Sequence, residues 1–294
     1  MYINNNSMAT NVANTLTSHY SDLKTSTERL STGLRVNSAA DDAAGLAIRE
    51  LMRTDITALQ QGVRNANDAI SLLQTADGAL AVIDEKLTRM KELAEQAATG
   101  TYDSTQRLMI ESEYQAMASE ITRIANATDF NGIHLLDGNL SSDTHVGSGM
   151  TSTGKMKIHF GSANDSAEDY YYIQIGSSTA SSLGVGNEAT GTDGMTISTQ
   201  EAAQKALVAV TNAVVSKDKI RAHLGALQNR LENTVSNLTT QAENLQAAES
   251  RISDVDVATE MTKFVRNQIL TQSSVAMLSQ ANSMPKMAMQ LIGG

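Results

Sequence analysis

The chain has 294 residues, a formal net charge of −10, one proline, three phenylalanines, and neither tryptophan nor cysteine. So few bulky aromatics leave a thin core of Leu, Ile, Val, Met and Ala, which suits helix against helix better than a sheet sandwich. The acidity and the lack of any Lys/Arg block exclude a nucleic-acid binder, and the lack of cysteine excludes disulfides, thiolate zinc sites and thiol nucleophiles.

The first forty residues read as one helical unit. Met8, Val12, Leu16, Tyr20, Leu23 and Leu30 make a stripe, and Gly33 stands where a left-handed cap would stop it. Residues 1–21 carry no Asp, Glu, Lys or Arg. A solvent-facing helix normally carries charge, so this one is expected to be enclosed by other protein. The same residues lack the basic and apolar regions of a cleaved secretory signal. No apolar run reaches the length of a membrane span.

Asp41 and Asp42 cap the next helix, which runs from Ala44 to Ala98 without a proline. Its apolar positions Leu59, Val63, Ala66, Ile70, Leu73, Ala76, Leu80, Ile83, Leu87, Met90, Ala94 and Ala97 form a coiled-coil seam. Two successive steps of three, Ile70 to Leu73 to Ala76, read as a stammer. At 1.5 Å per residue such a helix is roughly 80 Å long. After Gly100, Asp103 and Gln106 resemble a capping box, and Ile110, Tyr114, Met117, Ile121 and Ile124 predict a helix folded back antiparallel. Asp129-Phe-Asn-Gly132 reads as a tight turn.

Residues 137–200 are rich in Gly, Ser and Thr, and their alternation predicts a hairpin of Lys155–Phe160 with Tyr170–Ile175. Helix returns near Thr199 and continues nearly to the end. Leu207, Val210, Val214, Leu224, Leu227, Leu231, Val235, Leu238, Ala242, Leu245, Ala248, Ile252 and Val255 form its seam, so the second rod must run back along the first. Residues 267–294 again lack charge except for Lys286. The expected fold is mainly α: an elongated antiparallel helical bundle or coiled coil with a small β-hairpin insertion. Its expected parts are 1–43 with 256–294 as paired terminal helices, 44–140 with 200–255 as the long bundle, and 141–199 as a variable outer segment.

No catalytic constellation appears. The histidines at 19, 134, 145, 159 and 223 form no HExxH and no i,i+4 pair. Gly184-Val-Gly186-Asn-Glu-Ala189 matches a dinucleotide pattern only formally, for no parallel-sheet unit surrounds it. Asp41-Asp42 and Asp254/Asp256 read as helix caps rather than paired catalytic acids. No cofactor, metal or enzymatic activity is expected.

Residues 29–48, Arg-Leu-Ser-Thr-Gly-Leu-Arg-Val-Asn-Ser-Ala-Ala-Asp-Asp-Ala-Ala-Gly-Leu-Ala-Ile, resemble the amino-terminal signature of bacterial flagellin. The resemblance continues through Gly62–Leu80, Phe130–Gly138 and Ala248–Met261, covering roughly residues 1–140 and 200–294. It implies a filament subunit whose terminal helices pair in the inner tube, with the long helices as the next shell and the variable segment outward. Leu16, Leu23, Leu30, Arg35, Asp41, Asp42, Ile269, Leu278 and Leu291 are the candidate assembly residues.

The resemblance further implies copies of the same chain as partners, an export chaperone, the type III export apparatus, and the filament cap and hook–filament junction proteins. It places the product outside the cell, in the flagellum. The alternative within the same group is the junction protein itself. A membrane translocator lacks the apolar span it needs. Thr88–Gln96 resembles the segment read by a vertebrate Toll-like receptor, with Arg89 and Leu93 at matching positions and Glu113 on the facing helix. Glu95 departs from that pattern, and Gln-Leu-Ile-Gly-Gly replaces the family's usual ending.

Overall fold

The computed structural model describes residues 6–147, 153–166, 168–186 and 195–292. Among the described residues there are five helices: α1 (Ser7–Thr32), α2 (Ala43–Ala98), α3 (Ser104–Ala127), α4 (Gln200–Ser253) and α5 (Val257–Ile292). Short strands lie between α3 and α4: β1 (Asp129–Phe130), β2 (Ile133–His134), β3 (His145–Val146), β4 (Thr153–Gly154), β5 (Met156–His159) and β6 (Tyr170–Ile173). The chain divides into two compact units, Met1–Ile56 with Glu243–Gly294, and Thr57–Ala242.

In the Thr57–Ala242 unit the buried positions of α2 are Leu59, Gly62, Ala66, Ala69, Leu73, Ala76, Leu80, Ile83, Leu87, Met90, Ala94 and Ala97. Steps of three and four alternate throughout, so the expected stammer is absent. Ile70 and Val63 are only half-buried beside the seam, and the smaller Ala69 and Gly62 occupy it. Gly62 is required by close approach, because a Cβ there would collide with the backbone carbonyl of Phe160. Leu72 and Leu93 are also buried. They widen the stripe because α2 faces two helices: α3 through Arg89 and Glu113, and α4 through Asp84 and Lys217.

The α4 seam runs Ala203, Ala206, Val210, Ala213, Lys217, Ile220, Leu224, Leu227, Leu231, with Ile220 and Leu227 half-buried. The expected Leu207 and Val214 flank it, half-buried. Ion pairs Lys217–Asp84 and Arg221–Asp77 advance in opposite senses along the two helices, so α4 runs antiparallel to α2. α3 is antiparallel to α2 as well, since Arg89 meets Glu113 while Arg107 donates to the Ala97 carbonyl (3.1 Å). At the start of α3 the Asp103 amide donates to Gln106 Oε1 (3.0 Å), one arm of the expected capping box.

The turn at Asp129–Gly132 closes the β1–β2 hairpin, with Asn131 (φ 54°) and Gly132 (φ 79°) at its tip. β3 pairs with β4, a pairing the sequence pattern did not predict. β5 and β6 pair antiparallel with Met156 opposite Ile173 and Ile158 opposite Tyr171, and this face packs on the helical core. The ladder is shorter than predicted because the Ile175 amide turns to the Leu140 carbonyl (3.2 Å).

In the other unit, α1 stops at Gly33 in the left-handed conformation (φ 74°), its amide on the Arg29 carbonyl. The helix expected from Thr199 nearly to the end is interrupted between Ser253 and Val257. There Asp254 bridges Leu34, and the Val255 amide donates to the Gly33 carbonyl (3.0 Å). A new helix then starts on Asp256, whose carboxylate accepts the Ala258 and Thr259 amides (3.0 and 3.3 Å).

Candidate assembly surface

The terminal helices pair with each other. Asn6 caps α1 by accepting the Ala9 amide (3.1 Å), and its Nδ2 donates to the Ala281 carbonyl near the other end of α5 (2.8 Å). Ser26 donates to Glu260 across the pair (2.7 Å), so α1 and α5 are antiparallel. The contact positions on α5 are Glu260, Phe264, Asn267, Thr271, Ser274, Leu278, Ala281 and Pro285, again in alternating steps of four and three. On α1 they are Ala9, Val12, Leu16, His19, Leu23, Ser26 and Leu30. Met8 and Tyr20, expected in that stripe, are 58% and 53% exposed.

The usual distribution of polarity is blurred on α5. Its seam mixes Phe264, Leu278 and Ala281 with Glu260, Asn267, Thr271 and Ser274, while Met261, Val265, Ile269, Val275 and Met277 lie exposed, Ile269 at 56%. A helix apolar on its outer faces belongs in the interior of an assembly. Ile48 and Leu51 add to the exposed apolar surface at the start of α2. Glu260, the sole acidic residue of α5, is 3% exposed. Burial raises its carboxyl pKa, but the Ser26 and Lys263 hydrogen bonds and the Arg29 charge outweigh that and hold it below the usual range.

The candidate residues fall into different roles. Leu16, Leu23, Leu30 and Leu278 are half-buried in the α1–α5 seam, and Ile269 is on the outer face. Leu291 is in the last turn of α5, and its side chain lies outside the described residues. Arg35 is committed within the subunit: Nε and an NH2 donate to the Ile252 carbonyl (3.2 and 2.6 Å). Asp41 accepts the Asn37 and Ser38 amides and the Ser38 hydroxyl, and the Ser38 bonds are the main cause of its lowered pKa. Asp42 caps α2 through the Gly45 amide (2.9 Å).

Sequence reasoning missed Glu260 and Arg49. Arg49 is buried and donates to the Val36 carbonyl (2.9 Å), tying the α1–α2 connection to α2. The available signal for Glu260 was a lone acid in a terminal stretch with no other acidic residue.

Arg89 and Glu113 come together as a pair of contacts from one guanidinium (2.8 and 2.9 Å), with Glu92 alongside (2.9 Å). Both side chains are about half exposed. Leu93 is not beside them on the surface; at 1% exposure it belongs to the core. Among the described residues no cluster of His, Asp or Glu could hold a metal ion, and no helix is long and apolar enough to cross a membrane. Residues 187–189 of the Gly184–Ala189 segment lie outside the described residues.

The model of the bacterial flagellin N-terminal helical region matches residues 3–141, and that of the bacterial flagellin C-terminal helical region matches residues 207–292. The flagellar filament 33 kDa core protein of Treponema phagedenis is 40% identical over 295 residues, covering 99% of this chain and 100% of its own. Flagellin of Bacillus subtilis (strain 168) is 40% identical over 321 residues with the same coverage. A solved structure assigned as a flagellar hook-associated protein of Vibrio parahaemolyticus shares the fold, with TM-score 0.56 and 16% identity over 73% of this chain and 100% of that one.

Proposed function

The chain belongs to the bacterial flagellin family, and from that premise we propose that polymerisation runs through the outer faces of the α1–α5 pair. It is a structural subunit of the flagellar filament, which self-assembles, and not an enzyme. The observation that carries the proposal is the apolar outer face of α5. Leu16, Leu23 and Leu30 of α1 and Phe264 and Leu278 of α5 are already used in the internal seam, yet Met261, Val265, Ile269, Val275 and Met277 still face solvent in the isolated subunit. Other copies of the same helices are the partners that would cover them at about 25 cal/mol per Å² of apolar area.

In this reading residues 1–43 and 256–294 form the inner layer, 44–140 with 200–255 the surrounding bundle, and 141–199 the outward segment. Leu16, Leu23, Leu30 and Leu278 hold the pair, Arg35, Asp41 and Asp42 fix its connections, and Ile269 and Leu291 meet neighbours. The absence of charge in residues 1–21 supports burial, since unpaired charges are costly to enclose. Delivery out of the cell through the type III apparatus with a chaperone, and contact with cap and junction proteins, follow from the family reading. The Arg89–Glu113 pair is the surface a Toll-like receptor would read on a released subunit, with Leu93 supporting it from the core.

The test is a double substitution on the outer face, Val265→Asp with Ile269→Asp. Added to filament seeds, this subunit should fail to elongate them while keeping the parent's helical content and thermal midpoint. Normal elongation would sink the proposal.

A further inference from the structure

We propose that Lys217 and Arg221 are positioning residues that select the axial register of α4 on α2, and with it the form of the subunit able to polymerise. The inference takes filament assembly as given and asks what makes the helical unit assembly-competent. The seams of α2 and α4 both step by heptads, so a displacement of seven residues, about 10 Å along the axis, returns seam positions to seam positions, with changes in which small and large residues meet. A charged residue at a single seam position breaks that degeneracy at some cost in stability.

Lys217 is such a residue. It is 1% exposed and stands between Ala213 and Ile220 in the seam, with its ammonium on Asp84 of α2 and on the neighbouring Asp218 (2.8 Å). One turn further on, Arg221 grips Asp77 with two contacts (2.7 and 3.2 Å). Lys217 is enclosed while Asp84 is 40% exposed, so the pair adds little net stability over an apolar residue at 217, whereas an enclosed ammonium facing another cation is strongly disfavoured.

The acids are placed so that each slipped register loses one of the two pairings. Asp77 and Asp84 are seven residues apart on α2, but Lys217 and Arg221 are four apart on α4. Displacement toward the α2 carboxy terminus brings Arg221 to Asp84 but sets the enclosed Lys217 against Lys91, seven residues beyond Asp84. Displacement the other way lets Lys217 reach Asp77 but sets Arg221 against Ile70 and leaves Asp84 opposite the apolar Val210 level.

The chain has no cysteine, so Glu85→Cys with Asn229→Cys gives two unique spin-label sites on exposed positions of α2 and α4. The full-length chain is refolded rapidly from denaturant. Label distances, thermal midpoint and seeded elongation are then measured. The parent should give one distance population.

Lys217→Met should keep or raise the thermal midpoint yet show a second population displaced by about 10 Å, with the elongating fraction lowered about twofold or more. Lys217→Arg should restore the single population. Should Lys217→Met fail to fold, the exposed Lys91→Asp decides, because it offers Lys217 a partner in a slipped register and should by itself create the second population. A single distance in Lys217→Met with full elongation, or a single distance in Lys91→Asp, would overturn the assignment.

Discussion

The two units use the same helical arithmetic to opposite ends. In the Thr57–Ala242 unit, alternating steps of three and four put Leu80, Ile83, Leu87 and Met90 inside a continuous apolar core, although Leu108, Met109 and Val208 stay exposed. In the α1–α5 pair the same steps put Glu260, Asn267, Thr271 and Ser274 inside and leave Met261, Val265 and Ile269 outside. The first pattern builds one extensive core. The second buries a narrow mixed seam of leucines and polar residues and leaves the apolar outer face of α5 in water. Under the proposed assembly, the first unit is held by its own core and the second gains most from neighbouring copies.

The largest effect that separates them is expected at Gly62. Alanine there drives a methyl group into the Phe160 backbone carbonyl, which cannot rotate away as a side-chain end could. Gly62→Ala should cost about 3 kcal/mol, at the upper end for overpacking, and denaturant unfolding should register it in the Thr57–Ala242 unit. A loss under about 0.5 kcal/mol would mean that the hairpin does not bear on α2 as described.

A smaller effect, confined to the terminal pair, is expected at Glu260. Its carboxyl is held below the reference value of 4.5 in the folded chain, because hydrogen bonds and nearby charge exceed the opposing effect of burial. A depressed carboxyl pKa contributes stability at neutral pH that is lost as pH falls below about 4.5 and through the folded value. Glu260→Gln should cost about 1 kcal/mol at pH 7 and flatten the acid-side loss of helical circular dichroism relative to the parent. If variant and parent lose helix along the same curve, Glu260 does not hold the pair.

The contrast also explains what the sequence made legible. Helices, their order and the hairpin near residues 155–175 follow from periodicity, because burial on one side of a helix repeats every seven residues wherever it occurs. The identity of the seam was harder to read. Large apolar side chains drew attention to Val63, Ile70, Leu207 and Val214, yet the closest contacts belong to Gly62, Ala69, Ala206 and Ala213, since small residues allow backbones to approach. Lys217 was invisible as a seam residue because its charge argues for the surface until Asp84 is seen opposite. On α5 the rule is blurred: apolar residues occupy both the seam and the outer face, which the proposed assembly would cover with other copies. Charge depletion at the two ends was the one sequence signal that anticipated this.

The smallest stability effect is expected at Arg89, and it isolates surface recognition from both seams. Arg89 and Glu113 are each about half exposed, so water screens the pair and the contacts add little to stability. Arg89→Ala should leave the thermal midpoint nearly unchanged, whereas Leu93, enclosed in the core, cannot be altered without disturbing α2. Under the proposed receptor reading, activation of a Toll-like receptor by released subunits should fall sharply in Arg89→Ala, because a half-exposed guanidinium already oriented by two carboxylates meets a partner with little further ordering cost. Undiminished activation would remove Arg89 from the recognition surface while leaving the helical unit beneath it as described.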